Sequence, residues 1–176
     1  MSPYAATALL AALVVAQASL VPVAALGGQK PLLPVLAVAS WGLVAGGSQG
    51  LWWSVALGLL LDAASPAPPG MYTVPLFAAG LVAAASRRRL APANMVLPAA
   101  VAAGATLAFT LVQRLLLAAV LATRASGAPA IDWAPSQLLE DLVPVTVLNL
   151  VWLPIVYFPL RWLSRRGAPP RMDWEA

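Results

Sequence analysis

Residues 32–64 read LLPVLAVASWGLVAGGSQGLWWSVALGLLLDAA, and the fold turns on how this stretch is divided. Two apolar runs flank Gly46-Gly47-Ser48-Gln49-Gly50. Each run is about 14 to 16 residues, short for a helix that crosses a hydrocarbon core of about 30 Å, while the two together are too long for one straight span. We read a hairpin of two short spans, 31–46 and 49–64. A single broken span is the alternative, and it would put the two ends of the chain on opposite sides of a membrane. The glycine-rich break is not a phosphate cradle, because it lacks the Gly-Lys-Ser/Thr ending and a flanking strand.

Working outward, the same apolar character holds along the whole chain. Hydrophobic residues make up 61% of the 176 residues and charged residues 9%, where a soluble domain carries about 25% charged. Ten Lys and Arg with six Asp and Glu cannot cover a water-facing surface. A membrane protein is therefore expected, and disorder is excluded by the same composition. No Cys or His is present, which removes disulfides, thiolate nucleophiles, the usual neutral-pH base and the commonest transition-metal ligand. Lys30 is the only lysine and falls in a loop, against a Ser–Lys dyad. No enzyme and no cofactor is expected. The basic pI of about 10.4 reflects arginines between apolar runs, which serve as topology signals, so nucleic acid is not an expected partner.

The remaining breakers divide the chain into further spans at about 4–26, 71–86, 95–123 and 138–163, giving an all-α bundle of six transmembrane helices in one domain. The first has no Lys or Arg before it and is too long for the apolar core of a signal peptide, so it reads as a span. Ser65-Pro66-Ala67-Pro68-Pro69-Gly70 ends the third span, because its prolines remove donors and clash with the preceding turn. Arg87, Arg88, Arg89, Arg161, Arg165, Arg166 and Arg171 then fall on one side, and Lys30 and Arg124 on the other. Seven against two places the first group, and both ends of the chain, in the cytoplasm.

A few residues break the apolar pattern. Asp62 lies in the last turn of the third span, where the helix dipole disfavours an anion, so it needs a compensating partner. Arg114, about 27 Å along the fifth span, falls at a similar depth and is the expected partner; snorkelling to the interface is the alternative. Asn149, inside the sixth span, must bond to another helix. Pro144, Pro154 and Pro159 bend that span and free carbonyls for neighbouring helices to satisfy. Glu140 and Asp141 follow Ser136, a potential N-cap, and are expected at a helix N-terminus. Trp41, Trp52, Trp53, Trp133, Trp152 and Trp162 are spread through spans and interfaces, and most are expected in aromatic belts rather than ligand cages. Ala8, Ala12 and Ala16 form a row of small residues suited to close helix packing.

Gly58-Leu59-Leu60-Leu61-Asp62, followed by Gly70 and an apolar span closed by Arg87-Arg88-Arg89, resembles the rod shape-determining protein MreD family. Asn149-Leu150-Val151-Trp152-Leu153-Pro154, ending in Arg161 and Arg165-Arg166, is similar to that family's C-terminal helix. The resemblance implies a non-catalytic scaffold of the bacterial cell-elongation machinery in the inner membrane. It implies binding to MreC, a single-span protein with a coiled coil, alongside MreB, RodA and a class B penicillin-binding protein. Gly58, Asp62, Gly70, Asn149 and Pro154 carry it; Arg114 has no counterpart in the family's pattern. The six-span form also resembles the substrate-binding S components of energy-coupling-factor vitamin transporters, the alternative function.

Overall fold

The computed structural model describes Leu9, residues 12–17, Ser19, and residues 30–87, 96–124 and 135–166. Every element among them is an α-helix. Helix α1 is described over residues 12–17, with Leu9 and Ser19 also helical. It is followed by α2 (Leu33–Val44), α3 (Gly47–Ala64), α4 (Thr73–Arg87), α5 (Val96–Arg124) and α6 (Pro135–Arg166).

The division of residues 32–64 is a hairpin, and its turn comes two residues earlier than expected. Only Ala45 and Gly46 connect α2 to α3, and Gly47 to Gly50 form the first turn of α3. Gly46 reverses the chain at φ 132°, a conformation that suits only glycine. A Cβ on Gly50 would stand 2.6 Å from the Gly42 Cα, and one on Gly42 would stand 3.0 Å from the Ala83 Cβ. The missing side chains thus let α2, α3 and α4 meet beside the turn. At the far end of the hairpin, Leu61 of α3 comes back to the level of Leu32 and Val35, where α2 began.

The helices alternate in direction. Leu9 and Leu13 pack with Trp41 and Leu160, while Gln17 reaches Pro31 and Leu33. Thr73 begins α4 beside Gly58, and Ala83 near its end meets Gly42. Val145 of α6 shares a cleft with Leu32 and Arg114, whereas Leu160 lies against Trp41. One end of the bundle, the clasp end, therefore gathers Gln17, Leu32, Asp62, Thr73, Arg114 and Val145. The other, the tryptophan end, gathers Trp41, Gly46, Ala83 and Leu160.

Helix α2 is the axis of the assembly. It touches α3, α4, α5 and α6, and every residue from Leu33 to Leu43 is buried. Its sequence is apolar on all sides, the pattern of a helix enclosed by others. With 12 residues it rises about 18 Å, too short to cross a bilayer core alone.

The outer surface inverts the arrangement of a soluble protein. Leu139, Val143, Val147, Val151, Ile155, Phe158 and Trp162 run down the exposed side of α6, and Val74, Phe77 and Leu81 do so on α4. The most buried polar side chains, Ser40, Ser54, Thr106 and Asn149, point inward. Two helical stretches, Val96–Thr123 and Leu142–Ser164, are long and apolar enough to cross a membrane.

One expectation is corrected, at the start of α6. Helix α6 begins at Pro135, so Ser136 lies inside the helix and Glu140 lies beyond its first turn, exposed. A proline tolerated at the first helical position, where its missing N–H is no loss, moves the start upstream. Trp41 is buried and stacks on Trp53 at 4.8 Å, whereas Trp52 and Trp162 are exposed as a belt requires. Ala12 faces outward, and α1 meets the bundle through Leu13, Val14 and Gln17 instead. Ala8, Arg88, Arg89 and Arg171 lie outside the described residues, as do the side chains of Arg87, Arg124, Asp141, Arg165 and Arg166.

Candidate functional site

The chain leaves α3 through a turn built by its prolines. Ser65 Oγ accepts the Ala67 N–H at 3.1 Å, and Pro68 O accepts the Met71 N–H at 3.3 Å. Pro69 and Gly70 occupy the centre of this second turn, with Gly70 at φ 94°. Proline followed by a left-handed glycine is the pattern of a type II turn. It delivers the start of α4 directly onto the end of α3.

Gly58 and Asp62 receive it. They are four residues apart and so share one face of α3. A Cβ on Gly58 would lie 2.5 Å from the Thr73 Cα, so only glycine admits the α4 backbone. One turn further on, Asp62 Oδ2 accepts the Gly70 N–H at 2.9 Å, the Thr73 N–H at 3.2 Å and the Thr73 hydroxyl at 2.5 Å. Asp62 Oδ1 accepts the Tyr72 N–H at 2.8 Å. The N–H groups that open a helix have no partner within it and carry its positive dipole end. Asp62 thus sits at the unfavourable end of α3 and the favourable end of α4 at once.

The compensation expected for Asp62 is thus supplied at least by the turn that follows it. Arg114 does lie nearby, half-buried in a cleft of about 330 Å³ that also takes in Met71, Thr110, Gln113 and Val145. It supplies none of these four bonds to Asp62. Depth along the helices placed the two residues at one level correctly; the backbone donors that close on the carboxylate had no signature in a charge inventory.

A second set of bonds holds α2. Asn149, 1% exposed, accepts the Leu32 N–H at 2.8 Å and donates to Thr106 Oγ1 at 2.9 Å. Thr106 in turn donates to Ala102 O at 2.8 Å. Gln17 accepts the Leu33 N–H at 3.1 Å and donates to Pro31 O at 3.3 Å. Two amides from α1 and α6 therefore satisfy the first donors of a buried helix, and Pro34 removes another. Asn149 was legible as a residue needing an interhelical partner. Gln17 was missed, although it is the one long polar side chain in the first span.

Pro154 is half-buried within α6, which continues through all three of its prolines. Its neighbours Leu153 and Tyr157 pack with Leu36 and Ala102. Of the six residues singled out, the structure joins Gly58, Asp62 and Gly70 into one bonded unit. Asn149 belongs to the second, Arg114 to the adjacent cleft, and Pro154 to neither. Among the described residues no group of three or more acidic side chains stands close enough to hold a metal ion. Compared with known proteins, the chain matches no family model, no curated protein and no solved structure.

Proposed function

We propose that this chain is a six-span scaffold of the MreD kind in the bacterial inner membrane, with both ends in the cytoplasm. In this reading it has no catalytic residues and no cofactor. It holds the single-span protein MreC and, through it, supports peptidoglycan synthesis by RodA and a class B penicillin-binding protein along MreB filaments.

The observation that carries the reading is the unit formed by Gly58, Asp62 and Gly70. These are the residues on which the likeness rests, and each has a distinct physical requirement: a backbone contact, a carboxylate acceptor and a left-handed turn. A membrane setting is favoured by the exposed apolar rows on α4 and α6 and by the two long apolar helices. Short α2 is compatible with six spans because it is enclosed by protein. The up-and-down order of the helices accords with the arginine bias.

Purification in detergent tests the proposal. Stoichiometric recovery of a single-span, coiled-coil protein is expected, and its absence under conditions that preserve the fold defeats the scaffold reading. Because the chain lacks cysteine, Arg88→Cys and Ala130→Cys can be labelled without background. Modification from opposite sides of the membrane is expected. The S-component alternative draws on the cleft lined by Arg114, Gln113 and Thr110. A vitamin retained in stoichiometric amount through purification would establish it instead.

A further inference from the structure

The apolar height of the bundle differs from side to side. On α5 the apolar stretch Val96–Thr123 has 28 residues and on α6 Leu142–Ser164 has 23, which rise about 42 and 34 Å. On α4 the stretch is Thr73–Ser86, about 21 Å. On α3 the exposed polar pair Ser48 and Gln49 marks one limit and the turn that starts at Ser65 marks the other, so residues 50–64 rise about 22 Å. α3 packs on α4, α6 packs on α5, and α2 stands between the two pairs. The short helices therefore make up one side of the molecule and the long ones the other.

The short side faces outward through Trp52, Leu59 and Leu60 of α3 and Val74, Phe77 and Leu81 of α4. Against a hydrocarbon core of about 30 Å it falls short by about 8 Å, while α5 and α6 exceed the core. The two misfits are not equivalent. A long helix absorbs its excess by tilting, but tilting a short one lowers it further. Long basic side chains can bridge a shortfall by reaching for the interface. α3 has none, and its limits carry Ser48, Gln49 and Ser65 instead. Nor can the turn sink inward, because residues 65–72 are irregular backbone with Pro66 and Pro69 exposed, and lipid-exposed irregular backbone is excluded from the hydrocarbon region.

We propose that the bilayer is thinned beside α3 and α4, and that this face is a binding surface for short-chain lipid. Lipid suits it better than another helix does. Close helix pairing uses small residues, and the glycines here are spent inside the bundle, Gly58 against Thr73 and Gly80 against Ser54. Bulky Trp52, Leu59, Leu60 and Phe77 are left for the outer face. The inference rests on the membrane setting of the proposed function and not on the scaffold role. Release of the chain from alkali-washed membranes would overturn that setting, and it is read separately from lipid thickness.

The test uses the full chain in bilayers of dimyristoleoyl, dioleoyl or dierucoyl phosphatidylcholine, in order of increasing thickness. Because the chain lacks cysteine, nitroxides can be attached singly to Ser48→Cys and Pro66→Cys at the limits of α3 and to Leu59→Cys between them. Electron paramagnetic resonance reads their access to oxygen and to a water-soluble nickel complex. The two outer labels should stay in water in all three bilayers, and the central label should stay in hydrocarbon. In an equal mixture of the shortest and longest lipids, native mass spectrometry should find the short one retained about threefold over the long one. Ser48→Leu combined with Gln49→Leu raises the apolar limit of α3 and should reduce that preference. Outer labels that pass into hydrocarbon as the acyl chains lengthen overturn the proposal, as does equal retention of the two lipids. A central label shielded from both reagents also overturns it, because protein then covers the face.

Discussion

The two ends of the bundle are held by different physics. At the clasp end, α4 is tied to α3 through four bonds to Asp62, and α2 is tied to α1 and α6 through Gln17 and Asn149. At the tryptophan end, Gly42, Gly50 and Ala83 allow backbone contact, and Trp41 stacks on Trp53. Among the described residues Ser40 Oγ and Trp41 Nε1 there are buried without a hydrogen-bond partner, as is Thr146 Oγ1 nearer the clasp end. Directional bonds between helices therefore mark the clasp end, and close backbone and ring contact marks the other. The difference follows from where helices begin. α2 and α4 both start at the clasp end, and their first N–H groups meet the side-chain acceptors Asn149, Gln17 and Asp62, whereas α3 starts at the other end with no side-chain cap.

Breaking the clasp should have the largest effect. Asp62→Ala strips the acceptor from three backbone N–H groups and the Thr73 hydroxyl, and a loss of about 4 kcal/mol is expected from charge-assisted bonds partly replaced by water. Thermal unfolding in detergent, followed by circular dichroism, gives this directly. Hydrogen exchange should rise in residues 65–73 and stay unchanged in residues 42–50. A uniform rise would mean that the two ends are not independent.

Asn149→Leu tests the other tie at the same end. It orphans the Leu32 N–H and takes one donor from Thr106, whose hydroxyl still donates to Ala102 O, with an expected loss of about 3 kcal/mol. Adding Thr106→Val should recover little of that loss, because the Thr106 hydroxyl keeps its own acceptor. If the Asn149→Leu variant proved as stable as the parent, α2 would be held by packing alone.

Gly50→Ala probes the shape-held end. Its Cβ would meet the Gly42 backbone at 2.6 Å, which no side-chain motion relieves, so a loss of about 2 kcal/mol from overpacking is expected. Here exchange should rise in residues 42–50 and not around Asp62. The smallest effect belongs to Ser40→Ala. The hydroxyl is buried without a partner, so its removal should leave stability unchanged within about 0.5 kcal/mol or raise it slightly. A substantial loss would mean that Ser40 is bonded and that the tryptophan end, too, relies on polar contacts.

A double-mutant cycle tests whether Arg114 adds to the four bonds that the turn gives Asp62. A coupling between Asp62→Asn and Arg114→Gln of about 0.5–3 kcal/mol in stability places Arg114 among the partners of Asp62, and additivity within about 0.5 kcal/mol leaves the carboxylate to the turn.

Local chemistry made much of this legible. Pro66, Pro68, Pro69 and Gly70 end α3 whatever surrounds them, because a missing donor and a left-handed glycine act on their own segment. Gly46 turns the hairpin for the same reason. Asn149 announced a need for a partner, since an amide in an apolar helix must bond somewhere. Which partner it finds was not legible: Leu32 is 117 residues away. The need of Asp62 for compensation was legible, but its bonds to Gly70, Tyr72 and Thr73 were not, because backbone N–H groups that every residue but proline possesses leave no mark in a count of charged side chains.

By itself, the sequence determined that the chain is helical and apolar, where its helices break, and which few polar groups require company. Tertiary structure alone decided that α2 is enclosed, that Trp41 is buried while Trp52 is 76% exposed, and that one carboxylate closes two helix ends. The physical reason is that lipid and protein interior are nearly equally apolar, so no side-chain pattern distinguishes a helix facing one from a helix facing the other. Only the packing of α2 among α3, α4, α5 and α6 makes that distinction.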